Sequence, residues 1–204
     1  LVKQTMLVNE RFYSFLLKKN ITLILIIILF ISYFNSLKAI EKISIINNFN
    51  SSETLKFNFT QKSFDKNEKG VCFLKRPYFL RCLYNDKNQK ELIINNRVLV
   101  IYHKRYKKIY RYPVSKSFFI DILNREKFSK LISNGESLQN KNFFEIKYSD
   151  ERKGEITFFF NKMDYNLNGW RLVDINNNVT ILKIENLIKN SIIKKKFFLI
   201  PDEN

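Results

Sequence analysis

Alternation of apolar and polar positions dominates the chain from residue 55 onward and predicts one strand after another. Leu55, Phe57, Phe59 and Gln61 fall on one side of a first run, and Lys56, Asn58, Thr60 and Lys62 fall on the other. That is the pattern of a sheet with one dry face and one wet face. A loop over residues 65–70 leads into two β-prone runs that flank Arg76-Pro77. Proline cannot donate to a ladder, so a corner or an edge belongs there. Cys72, Leu74 and Arg76 share one face of the first run, and Leu80, Cys82 and Tyr84 share a parity on the second. Arginine carries five donors and keeps its charge, so at the end of an apolar face it either finds acceptors or snorkels out to water.

Asn95-Asn96 is a turn signal joining residues 92–94 to residues 98–102, because asparagine tolerates positive φ. Tyr106, Lys108, Tyr110 and Tyr112 then alternate up to Pro113, which predicts a charged edge strand. The period changes next. Ser115 or Ser117 is placed to cap a helix over residues 118–123, and Phe128, Leu131 and Ile132 mark a second helical piece. Strands return at residues 143–148, 156–160, 169–175, 179–185 and 197–200, with turns at 150–154, 166–169 and 176–178. Helices of the length that βαβ units need are missing from this half, which excludes a parallel sheet. Ahead of the first strand, Ile43, Ile46 and Phe49 recur every three residues, as in a short amphipathic helix, before Asn47, Asn48, Asn50 and Ser51 break it.

Residues 1–39 read differently. Lys18 and Lys19 precede the apolar stretch 21–34, which is followed by Asn35-Ser36-Leu37-Lys38-Ala39. This is the layout of a secretory signal with a cut after Ala39, leaving a domain over residues 40–204. A bilayer span needs about 20 apolar residues, which this stretch does not reach. An uncleaved membrane anchor is the alternative.

Composition narrows the class. With 20 Phe and 10 Tyr against 4 Gly and 3 Pro, the chain describes a packed β-rich domain rather than disorder. A net charge of +17 raises nucleic acid or an anionic membrane as a partner. The lysines are scattered along a chain rich in Lys, Asn and Ile, and no nucleic-acid-binding motif accompanies them, which argues against nucleic acid. One histidine, His103, sits among Lys and Arg, without the companions of a catalytic triad. Phosphate-binding loops, nucleophile elbows and zinc-protease motifs are absent, and two cysteines alone do not hold zinc. The expectation is a protein without catalytic residues, metal or cofactor, and not an enzyme.

Phe57-Asn58-Phe59-Thr60-Gln61 followed by Leu74-Lys75-Arg76-Pro77 resembles the periplasmic outer-membrane lipoprotein carrier family, LolA. Residues 92–102, then Gly169-Trp170-Arg171-Leu172-Val173-Asp174 with Thr180, and a closing strand in residues 197–201 continue the resemblance in order. It implies a mostly β fold: an open, incomplete antiparallel β-barrel with a helical lid over its concave apolar face. An acyl-chain groove would then comprise Leu55, Phe57, Phe59, Leu74, Leu80 and Tyr84 from the sheet, with Phe118, Phe119, Ile122 and Leu123 from the lid. Arg76 would be the latch, bonding lid-helix backbone carbonyls in the empty form. Family members commonly have a proline near the start of the lid segment, and here Ser117 stands in that place.

The implied partners are triacylated lipoproteins, an inner-membrane lipoprotein-releasing ABC transporter, and an outer-membrane lipoprotein receptor or the outer membrane directly. The carrier would be a periplasmic monomer. A non-transport lipid or lipoprotein sensor on the same scaffold, tethered through the N-terminal segment, is the alternative. With the hairpin turning about Pro77, Cys72 and Cys82 stand opposite each other where the family usually has apolar residues. In an oxidising compartment they either close a disulfide or remain buried thiols.

Overall fold

The computed structural model describes residues 39–202 apart from 65, 97 and 139, together with Ile26. The predicted secretory segment therefore lies outside the described residues except for Ile26 and Ala39. The chain divides into two compact units, Leu1–Glu41 and Lys42–Asn204, and the fold below is that of the second. Among the described residues no helix is long and apolar enough to cross a membrane.

Helix α1 covers residues 39–50 and leads into strand β1 (Thr54–Ser63). Strands β2 (Lys66–Lys75), β3 (Phe79–Tyr84), β4 (Lys90–Asn95), β5 (Val98–His103) and β6 (Lys108–Pro113) follow as a meander. Two helices come next, α2 (Phe119–Leu123) and α3 (Arg125–Asn134). The chain returns through β7 (Glu136–Leu138), β8 (Phe143–Asp150), β9 (Gly154–Asn161), β10 (Leu167–Val173) and β11 (Val179–Lys189). All eleven strands pair antiparallel in the order β6-β5-β4-β3-β2-β1-β11-β10-β9-β8-β7. Strands β6 and β7 stand at the two ends of that order and are not paired with each other, so the sheet is open.

Register follows from the alternation. One inner row runs Phe57–Cys72–Cys82–Leu92–Ile101–Tyr110 across β1 to β6. The next runs Leu55–Leu74–Leu80–Ile94–Leu99–Tyr112. On the other side of β1, Gln61, Leu182, Trp170, Phe158 and Ile146 make a third. All three helices contribute to the cluster on this face. Phe128 of α3 is fully buried between Phe49 of α1 (4.0 Å between ring centroids) and Phe158 and Phe160 of β9 (6.0 and 6.5 Å). Asn124 caps α3 by accepting from the Lys127 N–H.

Four local expectations are corrected. Residues 65–70 are not a loop, because β2 starts at Lys66 and pairs with β1 out to Ser63. Its polar residues belong to the end of a hairpin that is wet on both sides. The buried stripe of α1 is Ile45 with Phe49, one helical turn apart, whereas Ile43 is exposed. The turn expected over 166–169 comes earlier, at residues 162–164, so Leu167 already belongs to β10. Residues 197–200 form no strand; Lys195–Phe198 is a 3-10 turn lying on the outer face of the sheet. There Phe197 meets Phe73 at 4.8 Å and Phe198 meets Phe79 at 5.6 Å, forming a second, smaller core with Ile93 and Val100. A short apolar run does not reveal its period, and both phenylalanines point the same way.

Candidate functional site

The inner face holds an apolar cavity of about 30 Å³, enough for roughly one water. Sheet residues Leu55, Phe57, Leu74, Leu80 and Tyr84 line it, and Phe119, Ile122 and Leu123 of α2 close it. Eight of the ten expected groove residues are therefore brought together. The exceptions are Phe59 and Phe118. Phe59 packs edge-on to Tyr84 at 5.0 Å and lies over Gly70, where any Cβ would stand 2.9 Å from its ring. It is buried beside the groove, against a residue that lines it, instead of lining it itself. Phe118 faces Tyr148 of β8 at 6.4 Å, and the Lys153 ammonium stands 5.5 Å from its ring.

Alternation alone did not reveal the opposite wall: Phe49 from α1, Leu167 and Trp170 from β10, and Leu182, Ile184 and Leu187 from β11. Leu182 and Ile184 share a parity that was readable, but β1 and β11 pair across more than a hundred residues of chain, and a register shift between Leu167 and Gly169 breaks the count in β10. Cys72 and Cys82 also line the cavity; they pair directly across β2 and β3, and their sulfurs are bonded at 2.04 Å. Gln61 is the polar member of the wall, accepting from the Tyr84 hydroxyl at 3.2 Å. Burial, with Glu68 and Asp86 nearby, holds the Tyr84 phenol well above its ordinary 10.0.

Arg76 is 3 % exposed and stands where the β2–β3 hairpin meets the end of α1. The Arg76–Pro77 peptide bond is cis. Its Nη1 donates to the Ser52 carbonyl, and its guanidinium carbon lies 4.4 Å from the centre of the Phe49 ring. Nε and Nη2 are buried without a partner. The expected bonds to lid-helix carbonyls are thus replaced by one bond to the segment just beyond α1, and stacking on a helix side chain.

Arg125, at the start of α3, reaches the same segment. It donates to the Asn50 carbonyl at the end of α1 (3.0 Å), to the Ser52 carbonyl (3.5 Å) and to the Glu53 carboxylate (2.9 Å). Two guanidinium groups therefore converge on Ser52. Burial first, and Arg125 second, lower Arg76 to about 10, with Glu53 opposing. Lys42 Nζ completes the tie by donating to the Ser133 and Gly135 carbonyls at the end of α3 (2.9 and 2.6 Å).

The outer face is held by a different arginine. Arg81 donates through Nε and Nη2 to Glu91 (2.8 and 2.5 Å) and through Nη1 to the Phe197 carbonyl (2.7 Å). His103, in the β5–β6 hairpin, lies 5.9 Å from the Tyr110 ring, and its Nδ1 is buried without a partner.

A family model described as outer membrane lipoprotein carrier protein LolA matches residues 50–201. No curated protein sequence matches the chain. Among solved structures, an uncharacterized conserved protein from Thermus thermophilus superposes with a TM-score of 0.51 at 8% identity, over 81% of this chain and 95% of that one. A LolA superfamily protein from Nitrosomonas europaea gives 0.44 at 10% identity, over 77% and 96% of the two chains. The Pseudomonas aeruginosa MucA/MucB complex contains a chain giving 0.48 at 8% identity, over 80% and 61%. The first of these likenesses shows the fold.

Proposed function

The chain belongs to the LolA family of outer membrane lipoprotein carrier proteins, and from that premise we propose that it carries lipoprotein acyl chains across the periplasm. The observation that carries this reading is the apolar trough under α2. It is walled by side chains from six strands and reduced to about 30 Å³ by Phe119, Ile122 and Leu123. Pockets that hold small ligands run to roughly 300–1,000 Å³, so the trough is shut against an acyl chain and cargo requires α2 to move.

The need for such a trough is set by solubility. Each CH₂ held in water costs about 0.8 kcal/mol, so a sixteen-carbon chain costs roughly 12 kcal/mol. A triacylated protein therefore needs a dry groove to cross an aqueous space. Release needs the shut form to compete with the loaded one, and cargo shifts that balance by binding only the open form. Lipoproteins would be received from an inner-membrane releasing transporter and passed to an outer-membrane receptor or to the membrane itself. The role is binding and release by a monomer, without catalysis.

The test is mass spectrometry of the protein purified from the periplasm of its own cells. A co-purifying lipid-modified polypeptide is expected, and preparations consistently empty of one would overturn the carrier reading. Handover of that cargo to liposomes separates transport from sensing: cargo bound and never released would leave a non-transport binding protein in its place.

A further inference from the structure

The edge strand β6 carries a surface that cargo binding does not use. From Leu92 to Ile120 the chain has seven basic residues and no acidic one. Lys104, Arg105, Lys107 and Lys108 cluster at the tip of the β5–β6 hairpin, where a 3-10 turn (Lys104–Tyr106) and a left-handed Lys107 reverse the chain. All four are exposed, and among the described residues none of them forms an ion pair. Beside them Tyr106, Tyr110 and Tyr112 are 56%, 45% and 48% exposed. Structural economy does not explain three half-bare aromatic rings among four uncompensated charges. Edge strands are commonly protected by lysine alone.

Register gives the tyrosines a direction. Tyr110 ends the inner row that begins at Phe57, and Tyr112 ends the row that begins at Leu55. Both rows pass through the cavity wall, by way of Leu92 in one and Leu80 in the other. The apolar lining thus continues strand by strand to the sheet's exposed edge and stops at two phenols. Tyrosine suits the boundary between hydrocarbon and water, since its ring is apolar and its hydroxyl is wet. Lysine and arginine beside it supply attraction to anionic headgroups.

We propose that the β5–β6 hairpin and edge strand β6 dock on an anionic phospholipid bilayer, with Tyr106, Tyr110 and Tyr112 at the headgroup boundary and Lys104, Arg105, Lys107 and Lys108 against phosphates. Charge complementarity selects the occupant. Continuity with the apolar lining of the trough favours a bilayer over nucleic acid, to which basic and aromatic side chains also bind. The docking does not depend on what the trough carries, so it is measured without cargo, and its failure would leave the cargo experiment standing.

Full-length protein is to be mixed with vesicles of phosphatidylcholine alone or of phosphatidylcholine with phosphatidylglycerol, and the bound fraction measured by sedimentation. The combined variant Lys104→Glu, Arg105→Glu, Lys107→Glu, Lys108→Glu should weaken binding to the anionic vesicles on the order of 100-fold or more. Binding to neutral vesicles, which reads any contribution of the apolar N-terminal stretch, should hardly change. Tyr110→Ser with Tyr112→Ser should weaken anionic binding by roughly tenfold. A matched reversal of four exposed lysines elsewhere, Lys62, Lys66, Lys69 and Lys183, should cost far less.

Equal losses from the two reversals would overturn the proposal in favour of diffuse net charge. Unchanged binding in the hairpin variant would overturn it outright, as would wild-type protein that prefers a single-stranded oligonucleotide to anionic vesicles. Circular dichroism monitors folding, and glutamine at the same four positions gives the same reading with a smaller loss should the reversals perturb the hairpin.

Discussion

Arg76 and Arg81 stand on opposite faces of the β2–β3 hairpin, and each holds down a segment that covers its own face. On the outer face Arg81 is fully engaged: two bonds to Glu91, one to the Phe197 carbonyl, and the Phe197 ring 5.2 Å away. On the inner face the Arg76 guanidinium makes one bond among the described residues, to the Ser52 carbonyl, and leaves Nε and Nη2 dry. Each unsatisfied buried donor costs about 1–3 kcal/mol, comparable with what the Ser52 bond and the Phe49 stacking contribute together. The same residue type is therefore a rivet where acceptors are complete and, on the carrier reading we propose, a near-balanced latch where they are not. A tail that should stay down and a lid that should lift differ in their acceptors, not in their cations.

The largest expected effect removes what the two arginines share. Replacing Cys72 and Cys82 by Ser deletes the bond across the hairpin that carries them. Loop-closure entropy puts the loss at roughly 3 kcal/mol, read from urea midpoints. A loss under about 1 kcal/mol would mean that strand pairing alone fixes the hairpin. Next comes Glu91→Ala, which strands Arg81 and should cost about 2–3 kcal/mol, since the pair is mostly but not wholly shielded. It should also speed tryptic cutting at the exposed Lys194, Lys195 and Lys196, because Arg81, no longer held by Glu91, is freer to leave the Phe197 carbonyl. An unchanged cutting rate would show that the phenylalanine contacts hold the tail unaided.

Arg76→Leu should behave otherwise. Two unbonded donors vanish along with one bond, so global stability should move by no more than about 1 kcal/mol. The effect belongs to handover: uptake of an acylated probe is kept or strengthened, and delivery to liposomes slows. A stability loss as large as that of Glu91→Ala would abolish the distinction between rivet and latch. Normal delivery would remove Arg76 from the release step and leave Arg125, with its bonds to Asn50, Ser52 and Glu53, as the residue that ties α1 down.

The hairpin itself was legible because strand parity is local. Leu74 and Leu80 are inward by the same two-residue count that makes Arg76 inward, and the structure buries all three. The edge character of β6 was likewise written in Lys108, Tyr110 and Tyr112. What the count could not reach is what depends on the rest of the chain. The bulge between Lys56 and Asn58 in the β1–β11 pairing, and the cavity wall formed by Leu182 and Ile184, exist only once β1 and β11, far apart in the chain, have paired. Arg125 looked like an ordinary helix-start cation until α1 was placed beside it. The apolar residues 197–200 read as a strand because four such residues carry no period, and only the outer-face contacts of Phe197 and Phe198 decide their conformation.

Tyr84 tests the inner face at the end away from Arg76, and at neutral pH its effect is the smallest. Tyr84→Phe removes one hydrogen bond to Gln61, worth about 1 kcal/mol. The informative signature lies at high pH. The folded protein holds the phenol proton above the ordinary value of 10.0, because burial disfavours the phenolate and Glu68 and Asp86 add to that. Above pH 10 the unfolded chain has released this proton while the folded chain keeps it, so the unfolded state binds fewer protons and stability falls as pH rises. Below pH 10 both states are protonated and the contribution is flat. The other tyrosines obscure this in absorbance, but the difference in urea midpoint between wild type and Tyr84→Phe isolates it. That difference should be constant up to pH 10 and then shift steadily against the wild type. A difference that stays constant through the alkaline range would mean that water reaches Tyr84, and that the trough is open beside Phe59 and Gln61.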